Sequence, residues 1–184
     1  NIYKYKGYDE IIEAVEYLPD QLRDQVVLLS LGEDRGYKKI IDKKLRMSKT
    51  ESDIRFIGSV YDVTPYLAAA DIGILASHEE GFSNAILDYM NASLPVIATN
   101  VGGNMEAVDH ERSGFIIEPR DSKDLSNRLE YLCRFKEVRT AMGAQARIDV
   151  ERFFSIDKCM AEYQKLYTSL PQNEIKKGQS CEEK

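Results

Sequence analysis

Apolar positions come in two rhythms along the chain. Residues 9–18 carry Ile11, Ile12, Val15 and Leu18 at the spacing of one helical face. Residues 26–31 form a continuous apolar run ending at Gly32, the pattern of a strand buried on both faces. Residues 36–47 return to the helical spacing, with Tyr37, Ile40, Ile41 and Leu45 on one side of a lysine-rich surface helix. Ile54, Phe56 and Ile57 predict the next strand, closed by Gly58, and residues 63–70 a short helix whose Pro65 fits the first turn. Residues 71–76 again read as a strand, and Ser83 as the N-cap of a helix reaching Ala92. Residues 95–99 predict a strand, Gly102 and Gly103 a turn before a short helix at 105–108, and residues 114–117 a fifth strand. Helices follow at about 121–134, 136–150 and 156–169, with Tyr163 and Tyr167 spaced as packing residues.

Short apolar strands alternating with helices predict βαβ units, right-handed crossovers and one doubly wound, Rossmann-like parallel sheet. Ligands in such sheets bind beyond the carboxyl ends of the strands, so the loops after Leu31, Ile57, Ala76 and Thr99 are the places for chemistry. Residues 1–170 are expected to form one domain and the polar residues 171–184 a disordered tail. The chain opens at Asn1 without a Met, as an internal stretch of a longer polypeptide would.

Composition narrows the field. The chain has 184 residues, 43% hydrophobic, with a net charge of −6 and pI near 5.1. That charge argues against a nucleic-acid partner. No apolar run reaches the ~18 residues of a membrane span, and no signal peptide opens the chain. Cys133, Cys159 and Cys181 are far apart, and His78 and His110 are the only histidines, so neither a disulfide framework nor a metal site is expected, and a reducing cytoplasmic setting is. The Lys38 to Arg46 charge run reads as a solvated helix face.

Residues 77–84 (SHEEGFSN) join the third strand to a helix at the ligand end of the sheet. Gly81 lets backbone approach a ligand, and the helix start behind it offers free amides to an anion. Glu80, an acid beside an anion site, suits a neutral partner such as the hydroxyls of a sugar. Asn84, Asp88 and Asn91 fall on one polar stripe of that helix, away from Ile86, Leu87 and Met90. His78 reads as a loop residue near the site and not as a base, and Gly102 and Gly103 as turn glycines. Glu106 fits equally a loop brace and a solvent-exposed acid.

Glu80-Gly81-Phe82-Ser83-Asn84, then Leu87 to Met90, Leu94 to Thr99 and Val101-Gly102-Gly103 with Glu106, form an ordered set of motifs. They resemble the C-terminal, nucleotide-sugar-binding domain of the family-4 (group 1) retaining glycosyltransferases of the GT-B fold. Lys6-Gly7-Tyr8-Asp9, Phe56-Ile57-Gly58, Ala70-Asp71, Ser113-Gly114 and Arg152-Phe153-Phe154-Ser155 extend the resemblance over residues 3 to 170. It implies catalytic roles for Glu80, at the transferred sugar, and for Lys6, at the leaving diphosphate. It implies donor binding by Gly81 and Phe82 beside Glu80, by Ser83, Asn84, Ala85 and Ile86 around the diphosphate, by Asp88 at the ribose and by Gly58 near the base.

Two positions depart from the family pattern. Asp88 stands eight residues after Glu80, where the family has a second glutamate. The family commonly has an arginine five or six residues before the lysine; here Asn1 stands at five, while a sixth would fall before the first residue. The resemblance further implies a UDP-, GDP- or ADP-sugar as substrate, no metal or other cofactor, and an acceptor site on a separate N-terminal domain. Without that domain these residues are expected to bind nucleotide weakly and turn over nothing, and any membrane association would come through the missing half. Two other readings stay open: a GT-B nucleotide-sugar epimerase, and a non-catalytic sugar-nucleotide-binding module.

Overall fold

A computed structural model of the chain describes residues 1–48 and 54–169; the expected tail and Cys181 lie outside the described residues. A 3-10 turn at Lys4–Lys6 leads to α1 (Tyr8–Glu16) and α2 (Asp20–Arg23), then β1 (Leu28–Leu31) and α3 (Lys38–Met47). β2 (Ile54–Gly58), α4 (Thr64–Ala69), β3 (Gly73–Leu75) and α5 (Asn84–Asn91) follow. β4 (Val96–Thr99), α6 (Asn104–Ala107), β5 (Gly114–Ile117), α7 (Ser122–Arg134), α8 (Lys136–Phe153) and α9 (Ile156–Ser169) complete the order. Every predicted strand and helix occurs, and every strand pair is parallel.

The strands divide into two hydrogen-bonded sheets, β1-β2 and β3-β4-β5, where one was expected. β1 and β3 do not pair, and the consequence is visible on β1. Its Leu29 is 44% exposed, so the strand is not buried on both faces as the apolar run suggested. β4, the middle strand, is buried throughout. Its Ile97 faces Val15, Leu125 and Leu132 of α1 and α7. Val96 and Ala98 face Ile86 and Met90 of α5 and Ala146 and Val150 of α8. This alternation, with helices on both sides, makes the doubly wound α/β arrangement.

A third cluster ties α1 to α3 through Ile2, Ile12, Tyr37, Ile41, Leu45 and Ile54, while Ile40, expected on the same face, is half exposed. Lys38 pairs with Asp42 along the outer side of α3, as a solvated face should. Ser83 occupies the N-cap position of α5 with extended backbone, but its side chain makes no capping bond; the hydroxyl is buried. Every described residue of α9 is exposed, and Tyr163 and Tyr167, expected as packing residues, are 54% and 69% exposed. No helix among the described residues is long and apolar enough to cross a membrane.

Candidate functional site

Glu80 is held from two directions. Ser77, wholly buried at the end of β3, donates its Oγ hydrogen to Glu80 Oε1 at 2.7 Å. The Ser77 carbonyl in turn accepts from Thr99 Oγ1 at 2.6 Å, which fixes the loop to β4. Lys6 Nζ donates to the same Glu80 oxygen at 2.5 Å. Both Lys6 and Glu80 are partly shielded, with side chains 24% and 12% exposed. The pair is therefore stronger than one on an open surface, yet near enough to water for either ion to change partner.

Lys6 reaches Glu80 because the first turn of the chain is stitched onto the loop after β3. His78 N–H donates to Tyr5 O at 2.7 Å. Gly7 follows in left-handed conformation, φ 69°, and a Cβ there would sit 1.9 Å from the Ala76 carbonyl oxygen. Only glycine can make this turn at this separation. His78 Nε2 lies 3.0 Å from Glu10 Oε1 on α1, so the same two segments also approach each other there.

The other wall is the turn after β4. Gly103 N–H donates to Gly81 O at 2.6 Å. Gly102 has φ 52°, and a Cβ on it would meet the Glu80 and Gly81 carbonyl oxygens at 2.2 and 2.3 Å. These two are turn glycines, as the sequence suggested. Gly81 differs: a Cβ there would meet nothing within 4 Å, so its backbone faces open space. Phe82 is 40% exposed and rests its ring on Phe154, centroids 5.5 Å apart. Glu106 is exposed, its carboxylate near Gly103.

Asn84, Ala85 and Ile86 form the first turn of α5, behind this loop. The Ile86 N–H already donates to Ser83 O at 3.1 Å. The amides of Asn84 and Ala85 and the positive end of the helix dipole are what favour an anion here. Asp88 lies one turn further, on the exposed flank. Partial burial pushes its carboxyl above the usual aspartate range, with no cation offsetting the shift. Asn91 lies on the same exposed stripe as Asn84 and Asp88, and Arg147 of α8 bonds both its carbonyl and its side chain. Gly58 ends β2 with φ 86°, accepts the Gly32 N–H at 2.8 Å and has open space where a Cβ would be.

The structure thus joins Lys6, Glu80, Gly81 and Gly102 in direct contact. It sets Ser83 to Ile86 and Asp88 on the adjoining helix, and leaves Gly58 on the neighbouring sheet. Sequence reasoning gave no role to Ser77, although a lone serine directly after a buried strand is the signal that could have drawn notice. The Glu10–His78 approach had no signal, since its partners are far apart in sequence and spacing does not connect them.

The assembled features are a cation and a carboxylate in exchangeable contact, an open glycine backbone, and a helix start, all at the carboxyl ends of parallel strands. Comparison with known proteins bears on what such a cluster belongs to. The chain is 26% identical over 167 residues to N-acetyl-alpha-D-glucosaminyl L-malate synthase of Bacillus anthracis, covering 91% of this chain and 43% of that protein. It is 29% identical over 161 residues to lipopolysaccharide glucosyltransferase WaaG of Escherichia coli, covering 85% and 42%. The chain therefore spans less than half the length of these relatives.

Among solved structures, it is similar to the C-terminal domain of a group 1 family glycosyl transferase (LpcC) from Francisella tularensis. That match has TM-score 0.76 and 28% identity, and covers 84% of this chain and 83% of the other. Anabaena HepE, solved in complex with UDP, has the same fold at TM-score 0.86 and 23% identity, over 92% of this chain and 47% of that one. The family description "Glycosyl transferases group 1" matches residues 1–149. With that match and the fold of a GT-B C-terminal domain, the chain belongs to the group 1 glycosyltransferases.

Proposed function

We propose that the cleft at Glu80 binds a nucleoside-diphosphate sugar as the donor half of a retaining, hexosyl-type glycosyltransferase. The observation that carries this reading is the Lys6–Glu80 contact beside the start of α5: a carboxylate and an ammonium that each have a natural partner on such a donor. Glu80 would exchange Lys6 for hydroxyls of the sugar, with Ser77 still fixing one carboxylate oxygen. Lys6 would turn to the diphosphate, which would also meet the amides of Asn84 and Ala85, with Ser83 and Ile86 beside them. Gly81 and Phe82 supply backbone close to the sugar, and the open space at Gly81 supports that approach. Asp88 would accept from the ribose hydroxyls, one methylene shorter than the family's glutamate, and Gly58 would lie near the base.

In the reaction, the bond from the anomeric carbon to the diphosphate oxygen breaks, and the acceptor oxygen bonds to that carbon on the same face. The acceptor's proton passes to the departing phosphate. Lys6 and the helix amides stabilise the charge that grows on the diphosphate. The acceptor would be bound by a separate domain.

Calorimetric titration with UDP, GDP and ADP, free and as sugar conjugates, tests this reading. One nucleotide should bind, and Lys6→Ala should weaken it by about ten- to a hundredfold, as loss of one charged hydrogen bond predicts. No heat with any nucleotide at millimolar concentration would sink the proposal.

A further inference from the structure

Gly81 faces open space, as close approach of a ligand requires, but a glycine also leaves its loop free to sample many backbone conformations. A firm binding surface therefore needs a hold from outside the loop. One hold is the Gly103 N–H, which donates to Gly81 O at 2.6 Å. A second falls on the next residue, Phe82, whose ring lies against Gly103. A Cβ on Gly103 would sit 2.7 Å from Phe82 Cδ2, so the missing side chain at 103 is what makes room for the ring. The same ring meets that of Phe154, with centroids 5.5 Å apart and planes tilted by 39°, within the range of favourable aromatic pairs.

Phe154 is itself anchored. It forms the C-cap of α8, and its N–H donates to Val150 O at 2.9 Å. Its side chain packs against the buried cluster that joins Ile86 and Met90 of α5 to Ala146 and Val150 of α8. Phe82, by contrast, is 40% exposed and sits in a loop. Phe153, beside Phe154, has different surroundings: it is 46% exposed, with the charged groups of Arg152 and Lys158 at 5.0 and 4.9 Å from its ring centre. Of these two adjacent phenylalanines, only Phe154 has its ring against the loop after β3.

We infer that Phe154 is a positioning residue for the donor: it pins the Phe82 ring against Gly103 and so sets the Gly81–Phe82 backbone that would meet the sugar. The ring supplies the order that Gly81 gives up in exchange for its open face. Phe154 acts through Phe82 and reaches no reacting atom itself. Its role at the sugar rests on the donor reading proposed for this site, whereas the pin is a property of the chain without ligand. Because the pin bears on the sugar end of the cleft, its loss should be felt by the sugar more than by the nucleotide.

Two measurements on the 184-residue chain test this. The first needs no ligand. Phe154→Ala should speed amide exchange at Gly103, relative to Ile97 in the middle of β4, by about two- to tenfold, the range of one aromatic pair. Phe82→Ala should do the same, and adding Phe154→Ala to it should change little further. Phe153→Ala should leave the ratio as in the parent, and Phe154→Tyr, which keeps the ring, should hold it close to that. An unchanged ratio in Phe154→Ala, or effects of the two alanines that simply add, would overturn the inference. The second is calorimetric titration with whichever of UDP, GDP or ADP binds, and with its sugar conjugate. Phe154→Ala should weaken the conjugate by about two- to tenfold and leave the free nucleotide as in the parent. Equal weakening of both would overturn the positioning role. A parent chain that binds no nucleotide would refute the donor reading instead, and the exchange ratio would still decide whether the pin exists.

Discussion

Gly81 and Gly102 touch across the candidate site, yet their substitutions by alanine should have opposite effects. At Gly102 the new Cβ lies 2.2 and 2.3 Å from two backbone oxygens, which cannot rotate away as a side chain could. Its φ of 52° adds the strain of a left-handed non-glycine residue, about 1–3 kcal/mol. Overpacking against fixed backbone adds about 1–3 kcal/mol. The sum, about 2–6 kcal/mol, lowers the melting temperature of a chain this size by at least about 4 °C. Gly81→Ala meets open space at a residue without positive φ, so it should leave stability unchanged or raise it by about 0.4–1 kcal/mol. If a donor sugar approaches this backbone, the same methyl should weaken nucleotide-sugar binding by about tenfold or more, roughly 1.4 kcal/mol. Differential scanning fluorimetry and calorimetric titration on both variants separate the two effects. Equal losses of melting temperature in both, or Gly102→Ala melting within a degree of the parent, would refute the reasoning.

Three further outcomes follow from the polar contacts. Ser77→Ala removes one donor from Glu80 and leaves the diphosphate side untouched, so affinity for a nucleotide-sugar should fall about tenfold or more while free nucleotide binds as before, measured by titration of both ligands. Burial raises the Asp88 pKa above its unfolded value, so the ionised side chain opposes folding once pH exceeds that unfolded value. Asp88→Asn should therefore raise the melting temperature at about pH 7 and not at about pH 3. At Asp9 burial also pushes upward, but hydrogen bonds from Lys44 and Tyr37 outweigh it and hold the carboxyl below its ordinary range. Its stabilisation is present above the unfolded value and lost as pH falls through the folded one. Asp9→Asn should thus shallow the acid limb of a plot of melting temperature against pH; an unchanged limb would count against the Lys44–Asp9–Tyr37 network.

The elements were legible because their signals are local. Gly114–Ile117 reads as a strand from four consecutive residues, and α5 from the spacing of Ile86 and Met90, both of which prove buried. The division of the sheet was not legible, because strand neighbours are set by pairing between distant segments, and an apolar run such as Leu28 to Leu31 looks the same whether its second edge is paired or bare. The site follows the same rule. Glu80, Gly81 and the start of α5 lie in one short run of sequence and could be found there. Ser77 was within sight and unassigned, and the Glu10–His78 approach could not be found at all. Helical spacing placed Asn91 on the exposed stripe with Asp88, as found, but could not show that Arg147 of the neighbouring α8 bonds to that end of it.

Lys6 shows how resemblance and geometry divide the work. Nothing in the spacing of residues 1–10 sends its side chain 74 residues ahead to Glu80. What sends it there is the left-handed turn at Gly7, possible only because no Cβ stands between that turn and the Ala76 carbonyl. The lysine is exchangeable by chemistry, since Arg could also carry the charge; the glycine after it is not. A Gly7→Ala variant should for this reason disturb the Lys6–Glu80 contact more than Lys6→Arg does, even though Gly7 touches neither charged group.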